Sequence, residues 1–284
     1  MRVTIGEALQ RADIDAREAR LLLARAAGLS EARIIAHPEQ PLDESARARF
    51  DAWSARRRQG EPVAYVTGWR EFCGLMLAVT PAVLIPRHES ELLVERTLAV
   101  LPSRGERRVL DLGTGSGALA LAIKQARPMA KVVGVDASGD ALAVAHANAD
   151  RLGLEIDWRI GQWFSAVPTE RFEVIVANPP YVAQNDPHLA RDDLRFEPRA
   201  ALVAGVDGLE AIRLIAADAC QHLAPGGWLF LEHGFAQAAA VAALLQAAGL
   251  LRIETWPDLA GHPRVTGGAA PSPGVTVDQT MRDR

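Results

Sequence analysis

The sequence predicts an α/β protein, with a parallel sheet covered by helices on both faces and a small helical domain ahead of it. Three observations carry this. From Arg108 onward, short apolar β-branched runs alternate with helical stretches. A glycine-rich turn follows the first of those runs and a carboxylate ends the second, as at the carboxyl ends of parallel strands that bind a ligand. The first 60 residues, by contrast, show helix caps and helical spacing. A length of 284 residues suits two domains, and 49% hydrophobic with 23% charged residues describes a chain that folds around a core.

In chain order, Asp15 caps a helix over 16–27 that Gly28 stops. Ser30 caps a short helix through Ile34 and Ile35, and Asp43 caps one running toward Gly60. Leu9, Leu21, Leu22, Leu23, Ile34, Ile35, Phe50 and Trp53 form the predicted buried face. Residues 62–86 change character. Val63, Tyr65, Val66, Trp69, Phe72, Leu75, Leu77 and Val79, with Gly68 and Gly74 near turns, predict a hairpin linking the domains. A helix is expected over 89–101. Strands are expected at 109–112, 132–136, 156–160, 172–176 and 228–232, with helices at 118–126, 141–152, 209–223 and 236–248. A last extended run covers 250–256. The division is then 1–60 helical, 61–87 hairpin linker, 88–267 α/β domain and 268–284 flexible tail, the last rich in Gly, Pro and Ser.

Charge and cysteines exclude several classes. Lys and Arg number 31 against 35 Asp and Glu, a net of −4, which disfavours phosphate-driven nucleic-acid binding. The first 60 residues hold 11 arginines and 9 acidic residues, a small surplus that reads as a solvated surface or, more sharply, as a docking face for an acidic or RNA-containing partner. Cys73 and Cys220 are too few for a disulfide framework, and no Cys/His spacing fits zinc, so no metal is expected. No apolar run reaches the ~18 residues of a membrane span, and the N-terminal residues lack a signal-peptide core. A cytoplasmic protein is expected.

The turn Asp111-Leu112-Gly113-Thr114-Gly115-Ser116-Gly117 lets a ligand approach the backbone closely. Asp136, ending the next strand, can accept hydrogen bonds from both hydroxyls of a ribose. An adenosine-bearing ligand follows. Gly113, Gly115 and Ala118 also fit a dinucleotide fingerprint, so NAD competes with S-adenosylmethionine here. Asp111 favours the latter slightly, as an acidic group beside a cationic ligand.

Asn178-Pro179-Pro180-Tyr181 follows the strand at 172–176. Two prolines cannot continue a central strand, and Pro180 holds Pro179 extended. The Pro179 carbonyl and the Asn178 side-chain oxygen are then two fixed acceptors, suited to the two hydrogens of a planar NH2 group. Tyr181 offers a flat apolar wall. Acceptors on both hydrogens raise electron density on a poorly nucleophilic nitrogen and aim it at an electrophile.

With these motifs the sequence resembles the protein-glutamine N5-methyltransferases that modify class I peptide chain release factors, over about residues 5–266. The resemblance also rests on Leu84-Ile85-Pro86-Arg87-His88-Glu89-Ser90-Glu91, Asp186-Pro187-His188-Leu189, Arg195-Phe196-Glu197-Pro198 and Leu231-Glu232-His233-Gly234. It implies a Rossmann-like class I methyltransferase domain behind a substrate-recognising helical domain and a β-hairpin. It also implies S-adenosylmethionine bound by Gly113, Thr114, Gly115, Ser116, Gly117, Asp136, Trp163 and Asn178. The implied substrate is the glutamine of a release factor's Gly-Gly-Gln loop, bound by Asn178, Pro179, Pro180 and Tyr181, with no nucleic acid or membrane required. Gln162 stands where the family usually has Asp, and His88 replaces a usual Pro. The match ends beyond Gly267, where Gly267-Gly268 argues against a final strand. The competing functions are glutamine methylation of a large-subunit ribosomal protein, adenine-N6 methylation of DNA, an NAD-dependent oxidoreductase and a non-catalytic cofactor-binding module.

Overall fold

The computed structural model describes residues 3–190 and 192–272. The chain divides into two compact units. The first gathers Met1–Trp69, Val79–Pro81 and Pro187–Phe196, and the second the remainder. The predicted tail beyond 272 lies outside the described residues.

The first unit is built on α1 (Ile5–Arg11), α2 (Ala16–Ala27), α3 (Glu31–Ala36), α4 (Glu44–Arg58) and α5 (Val63–Thr67). Asp15 accepts hydrogen bonds from the Arg17 and Glu18 amides, Ser30 from Arg33 and Asp43 from Ser45, and each bond satisfies an orphan donor of a first turn. Gly28 closes α2 at φ 66°, a left-handed cap. Ile5, Leu22, Leu23, Ile34 and Phe50 are buried together, but Ile35 is 64% exposed because the next residue along a helix faces about 100° away. The arginines of α4 are largely committed within the unit. Arg49 and Arg58 donate to the carbonyls of Ala26 and Ala12, and Arg57 pairs with Glu18 and Asp193 at 2.6 and 2.9 Å. These bonds engage part of the basic surplus inside the unit.

Residues 63–67, expected as strand, are helical. Gly68 ends the helix at φ 79°, and Val66 packs into the bundle core, so burial outweighs the β-preference of Val and Tyr. The hairpin itself is shorter than expected: β1 (Trp69–Phe72) and β2 (Leu75–Ala78) joined at Cys73-Gly74.

In the second unit a 3-10 turn, His88–Ser90, leads into α6 (Glu91–Val100). There follow β3 (Arg108–Leu112), α7 (Ala118–Ala126), β4 (Lys131–Asp136), α8 (Gly139–Leu152), β5 (Asp157–Ile160) and β6 (Phe172–Ala177). Then come α9 (Glu210–His222), β7 (Leu223–Glu232), α10 (Ala238–Ala247), β8 (Leu251–Pro257) and β9 (Pro263–Ala269). The seven strands lie in the order β5-β4-β3-β6-β7-β9-β8. The sheet is mixed and not purely parallel, because β9 runs antiparallel to both β7 and β8.

That ninth strand contradicts the expectation that Gly267-Gly268 would prevent it. A Cβ on Gly267 would sit 2.5 Å from the Phe230 ring and one on Gly268 2.9 Å from Ile253. These glycines are where neighbouring side chains fill the space above the strand, so packing requires them. Gly226-Gly227 likewise falls at an irregularity inside β7, where pairing with β6 jumps from Leu223 to Trp228.

The order reverses at β3. Leu112 is in register with Val135 on one side and with Ala177 on the other. The next residues, Gly113, Asp136 and Asn178, therefore leave three adjacent strands side by side at a switch point. Trp158 on β5 pairs across to Gly134 on β4 and covers it; a Cβ at Gly134 would lie 2.4 Å from the indole. Gly134→Ala should cost about 1–3 kcal/mol by overpacking, read as a lowered urea midpoint. Trp158→Leu in the same chain should recover part of the loss.

Candidate active site

The glycine turn is a backbone cradle. Gly113, Gly115 and Gly117 stand at φ 70°, 56° and 81°, which L side chains rarely adopt. The Gly113 and Thr114 amides bond the Val135 carbonyl, and the Gly115 amide bonds Asp136 Oδ2 at 2.9 Å. Asp136 Oδ1 takes the Ser138 amide at 2.9 Å, so the carboxylate is held by the backbone at both oxygens. Asn148, fully buried, ties the turn to the hairpin: Nδ2 donates to the carbonyls of Ser116 and Ala78, and Oδ1 accepts the Ala78 amide.

A cavity of about 490 Å³ opens over this turn, within the size range of small-molecule sites. Gly113, Thr114, Gly115, Ser116, Asp136 and Trp163 line it on one side, and Asn178, Pro180 and Ser90 on another. The Trp163 indole Nε1 is buried and has no acceptor among the described residues. A carboxylate, an aromatic wall with an unspent donor and a backbone cradle on one cavity fit a nucleoside-bearing ligand. Leu84 and Pro86 add a roof. Buried Glu197 holds it, accepting the Ile85 amide at 3.0 Å and pairing with Arg87. This clamp joins two distant sequence runs. Gln162 is exposed and lines the cavity, while its backbone N–H donates to Ser165 Oγ. His88 is exposed and pairs with Glu91 at 3.3 Å.

Three candidates, Asp111, Gly117 and Tyr181, sit elsewhere than expected. Asp111 is fully buried beneath the turn and does not line the cavity. Its Oδ2 accepts from Thr114 Oγ1 at 2.6 Å and from the Ala120 amide, so it shapes the turn without facing a ligand. Burial pushes its pKa up to about 7, with Oδ1 unpartnered among the described residues. Gly117 packs under Trp158, where a Cβ would lie 2.8 Å from the ring. Pro179 is buried between its cavity-lining neighbours Asn178 and Pro180. Tyr181 is no cavity wall. It packs against the core and its hydroxyl donates to Glu232 Oε1 at 3.2 Å.

Two residues matched as motif were given no role. Ser90 and Glu232, both buried, connect to the Asn-Pro-Pro-Tyr segment: Asn178 Nδ2 donates to Ser90 Oγ at 2.9 Å, and Ser90 Oγ donates to Glu232 Oε2 at 2.6 Å. Only a buried carboxylate in an apolar strand, Leu229 to Leu231 followed by Glu232, could have signalled this. Burial pushes Glu232 up to about 7 as well. Separately, Glu71, His88 and Glu91 bring ligand-type atoms within 4.8 Å of one another. They lie outside the cavity, and Glu71 and Glu91 already accept the Gly74 and Cys73 amides.

Comparison with known proteins follows the same lines. The family described as the PrmC N-terminal domain matches residues 4–68, and the methyltransferase small domain matches residues 88–194. The chain is 50% identical over 275 residues to a release factor glutamine methyltransferase of Burkholderia pseudomallei, covering 94% of this chain and 96% of that one. It is 43% identical over 261 residues to one of Escherichia coli, covering 92% and 94%. In fold it is similar to a methyltransferase from Pyrococcus furiosus, with a TM-score of 0.53 and 18% identity over 70% of this chain and 90% of that one. A 16S rRNA methyltransferase of T. thermophilus gives 0.53 and 22% over 71% and 49%.

Asp136→Ala should weaken S-adenosylhomocysteine binding by about ten- to a hundredfold, the loss of hydrogen bonds to a charged acceptor; unchanged affinity by calorimetry would remove Asp136 from the site. For Asp111 the native state keeps a proton that the unfolded chain has released between about pH 4 and 7. Stability should therefore fall as pH rises through that window. Asp111→Asn should reduce the fall, measured as urea midpoints at pH 5 and 8.

Proposed function

The chain belongs to the release factor glutamine methyltransferase family, and from that premise we propose that Asn178 and Pro179 bind the carboxamide of the methylated glutamine. The family methylates a release factor glutamine with S-adenosylmethionine. Our reading of the substrate is the Gly-Gly-Gln loop of class I release factors, modified at the side-chain nitrogen. The nicotinamide alternative is set aside by the family, and it also leaves Asn178 and the two prolines without a role.

The observation that supports this reading is that Asn178 leaves the strand next to the glycine turn, with Asp136 on the turn's other side, and that all three line one cavity. Among the described residues no donor engages Asn178 Oδ1 or the Pro179 carbonyl. Both oxygens remain available for the two hydrogens of the glutamine NH2, which they orient and make more electron-rich. Bound S-adenosylmethionine supplies a methyl group on a sulfonium sulfur that departs as a neutral thioether. Gly113 to Ser116, Asp136 and Trp163 hold the nucleoside end, in our reading. The nitrogen forms its bond to the methyl carbon and then loses one proton to water, so no strong base is needed. Asp111 and Gly117 support the turn, and Tyr181 supports the kink through Glu232 in place of the aromatic wall expected for it.

We place this activity in the bacterial cytoplasm, where release factors work, with no nucleic acid required by a chain of net charge −4. Among the described residues no helix is long and apolar enough to cross a membrane.

Asn178→Ala should lower methyl transfer to purified release factor about a hundredfold or more, the scale of losing one preorganised partner at a reacting group. Affinity for S-adenosylmethionine should stay within severalfold. Near-normal turnover of labelled methyl groups into the glutamine peptide would overturn the assignment.

A further inference from the structure

Asn178 can serve a substrate NH2 only if its amide is turned one way, with Oδ1 toward the cavity and Nδ2 away. An isolated carboxamide has no strong preference between the two orientations, since O and N differ little in size. Something must choose. The structure shows a chain of three bonds leading from Asn178 into the protein. Nδ2 meets Ser90 Oγ at 2.9 Å, Ser90 Oγ meets Glu232 Oε2 at 2.6 Å, and Glu232 Oε1 meets the Tyr181 hydroxyl at 3.2 Å. Ser90 and Glu232 are 4% and 1% exposed, so water has little access to substitute for either partner.

We infer that Glu232, acting through Ser90, is the positioning residue that holds Asn178 with its oxygen toward the substrate amide. The inference rests on the reading of Asn178 given above. The logic is one of hydrogen counting. A carboxylate has no proton, so both of its neighbours must donate to it. Ser90 has one hydroxyl hydrogen and spends it on Glu232. Its oxygen can then only accept, and the only part of the Asn178 side chain that can donate is Nδ2. Oδ1 is left on the opposite side, where the substrate arrives. If Glu232 carries a proton, the chain can reverse. Glu232 donates to Ser90, Ser90 donates to Asn178 Oδ1, and the amide turns its NH2 toward the substrate NH2. Two donors then face each other.

The groups around this carboxylate act in opposite directions. Burial and Glu89, from the turn before α6, favour the protonated form. Ser90, Tyr181 and Arg264, the last from β9, favour the charged form. His233, the residue after β7, is held neutral by burial, its Nε2 against Thr266 Oγ1 at 2.8 Å. Tyr181, at the far end of the kink, is kept protonated by burial and by Glu232 itself, so it remains a donor.

The test is turnover of purified release factor by full-length Glu232→Gln, Ser90→Ala, Ser90→Thr and Asn178→Ala, at saturating S-adenosylmethionine from pH 5.5 to 9. Affinity for the methyl donor is measured in parallel by calorimetry. The wild type should lose kcat as pH falls through neutrality, and Glu232→Gln should lose that acid limb. Ser90→Ala should lower kcat at least tenfold with donor affinity within about twofold, and Ser90→Thr, which keeps the hydroxyl, should restore most of it. A Glu232→Gln profile that keeps the wild-type acid limb would overturn the inference. So would a Ser90→Ala kcat within twofold of wild type while Asn178→Ala is inactive. Full turnover by Asn178→Ala would instead overturn the reading of Asn178 itself, a distinct result. Should Ser90→Ala fail to fold, the pH profile of Glu232→Gln, an isosteric change, decides alone.

Discussion

The site depends on parallel pairing in register. Leu112 lies level with Val135 and with Ala177, and in a parallel sheet adjacent strands stand about 4.8 Å apart. One step further along, three strands release Gly113, Asp136 and Asn178 side by side. A slip of one residue in β6 would turn Asn178 to the other face of the sheet. Pro179 and Pro180 hold the exit sharply, because neither has an amide to extend the ladder beyond Ala177. A backbone cradle, a carboxylate and a pair of carbonyl oxygens thus come together without any of them being near another in sequence.

Around that junction, buried polar groups are placed in pairs and chains. Asn148 joins the hairpin to the glycine turn, Glu197 joins Ile85 to Arg87 along the roof, and Glu232 joins Ser90 to Tyr181 beneath the kink. Leaving any one of these groups unpaired costs more than its bond contributes, so each link tolerates few alternatives and specifies one arrangement. Asp111 is the partial exception, with one oxygen engaged and one not. Its raised pKa is the expected response, since a proton on the unpaired oxygen is cheaper than a buried charge.

Much of the architecture was legible because its signals are local. Asp15, Ser30 and Asp43 cap helices through side-chain bonds to the next two or three amides, and Gly28 closes one in the left-handed region. The errors arose where distant packing decided. Val63 to Thr67 became helix because Val66 enters the bundle core, and β9 formed through Gly267-Gly268 because Phe230 and Ile253 occupy the space a side chain would need. The site divides in the same way. The glycine turn, Asp136 and Asn178 announce themselves by residue type after a strand. The indirect places of Asp111, Gly117 and Tyr181 do not, since an acid, a glycine or a tyrosine beside a motif reads the same whether it faces the ligand or supports the residue that does.

By itself, the sequence determined the helix boundaries set by caps, the alternation of strand and helix, and the family to which the motifs belong. All of these depend on contacts a few residues long. Tertiary structure alone decided that the last strand runs antiparallel between β7 and β8, that Trp158 covers Gly134 and Gly117, and that Ser90 and Glu232 stand behind Asn178. The reason is physical. A hydrogen bond between residues 88 positions apart, or 142, leaves no periodicity or spacing to read, and exists only once the sheet has brought its ends together.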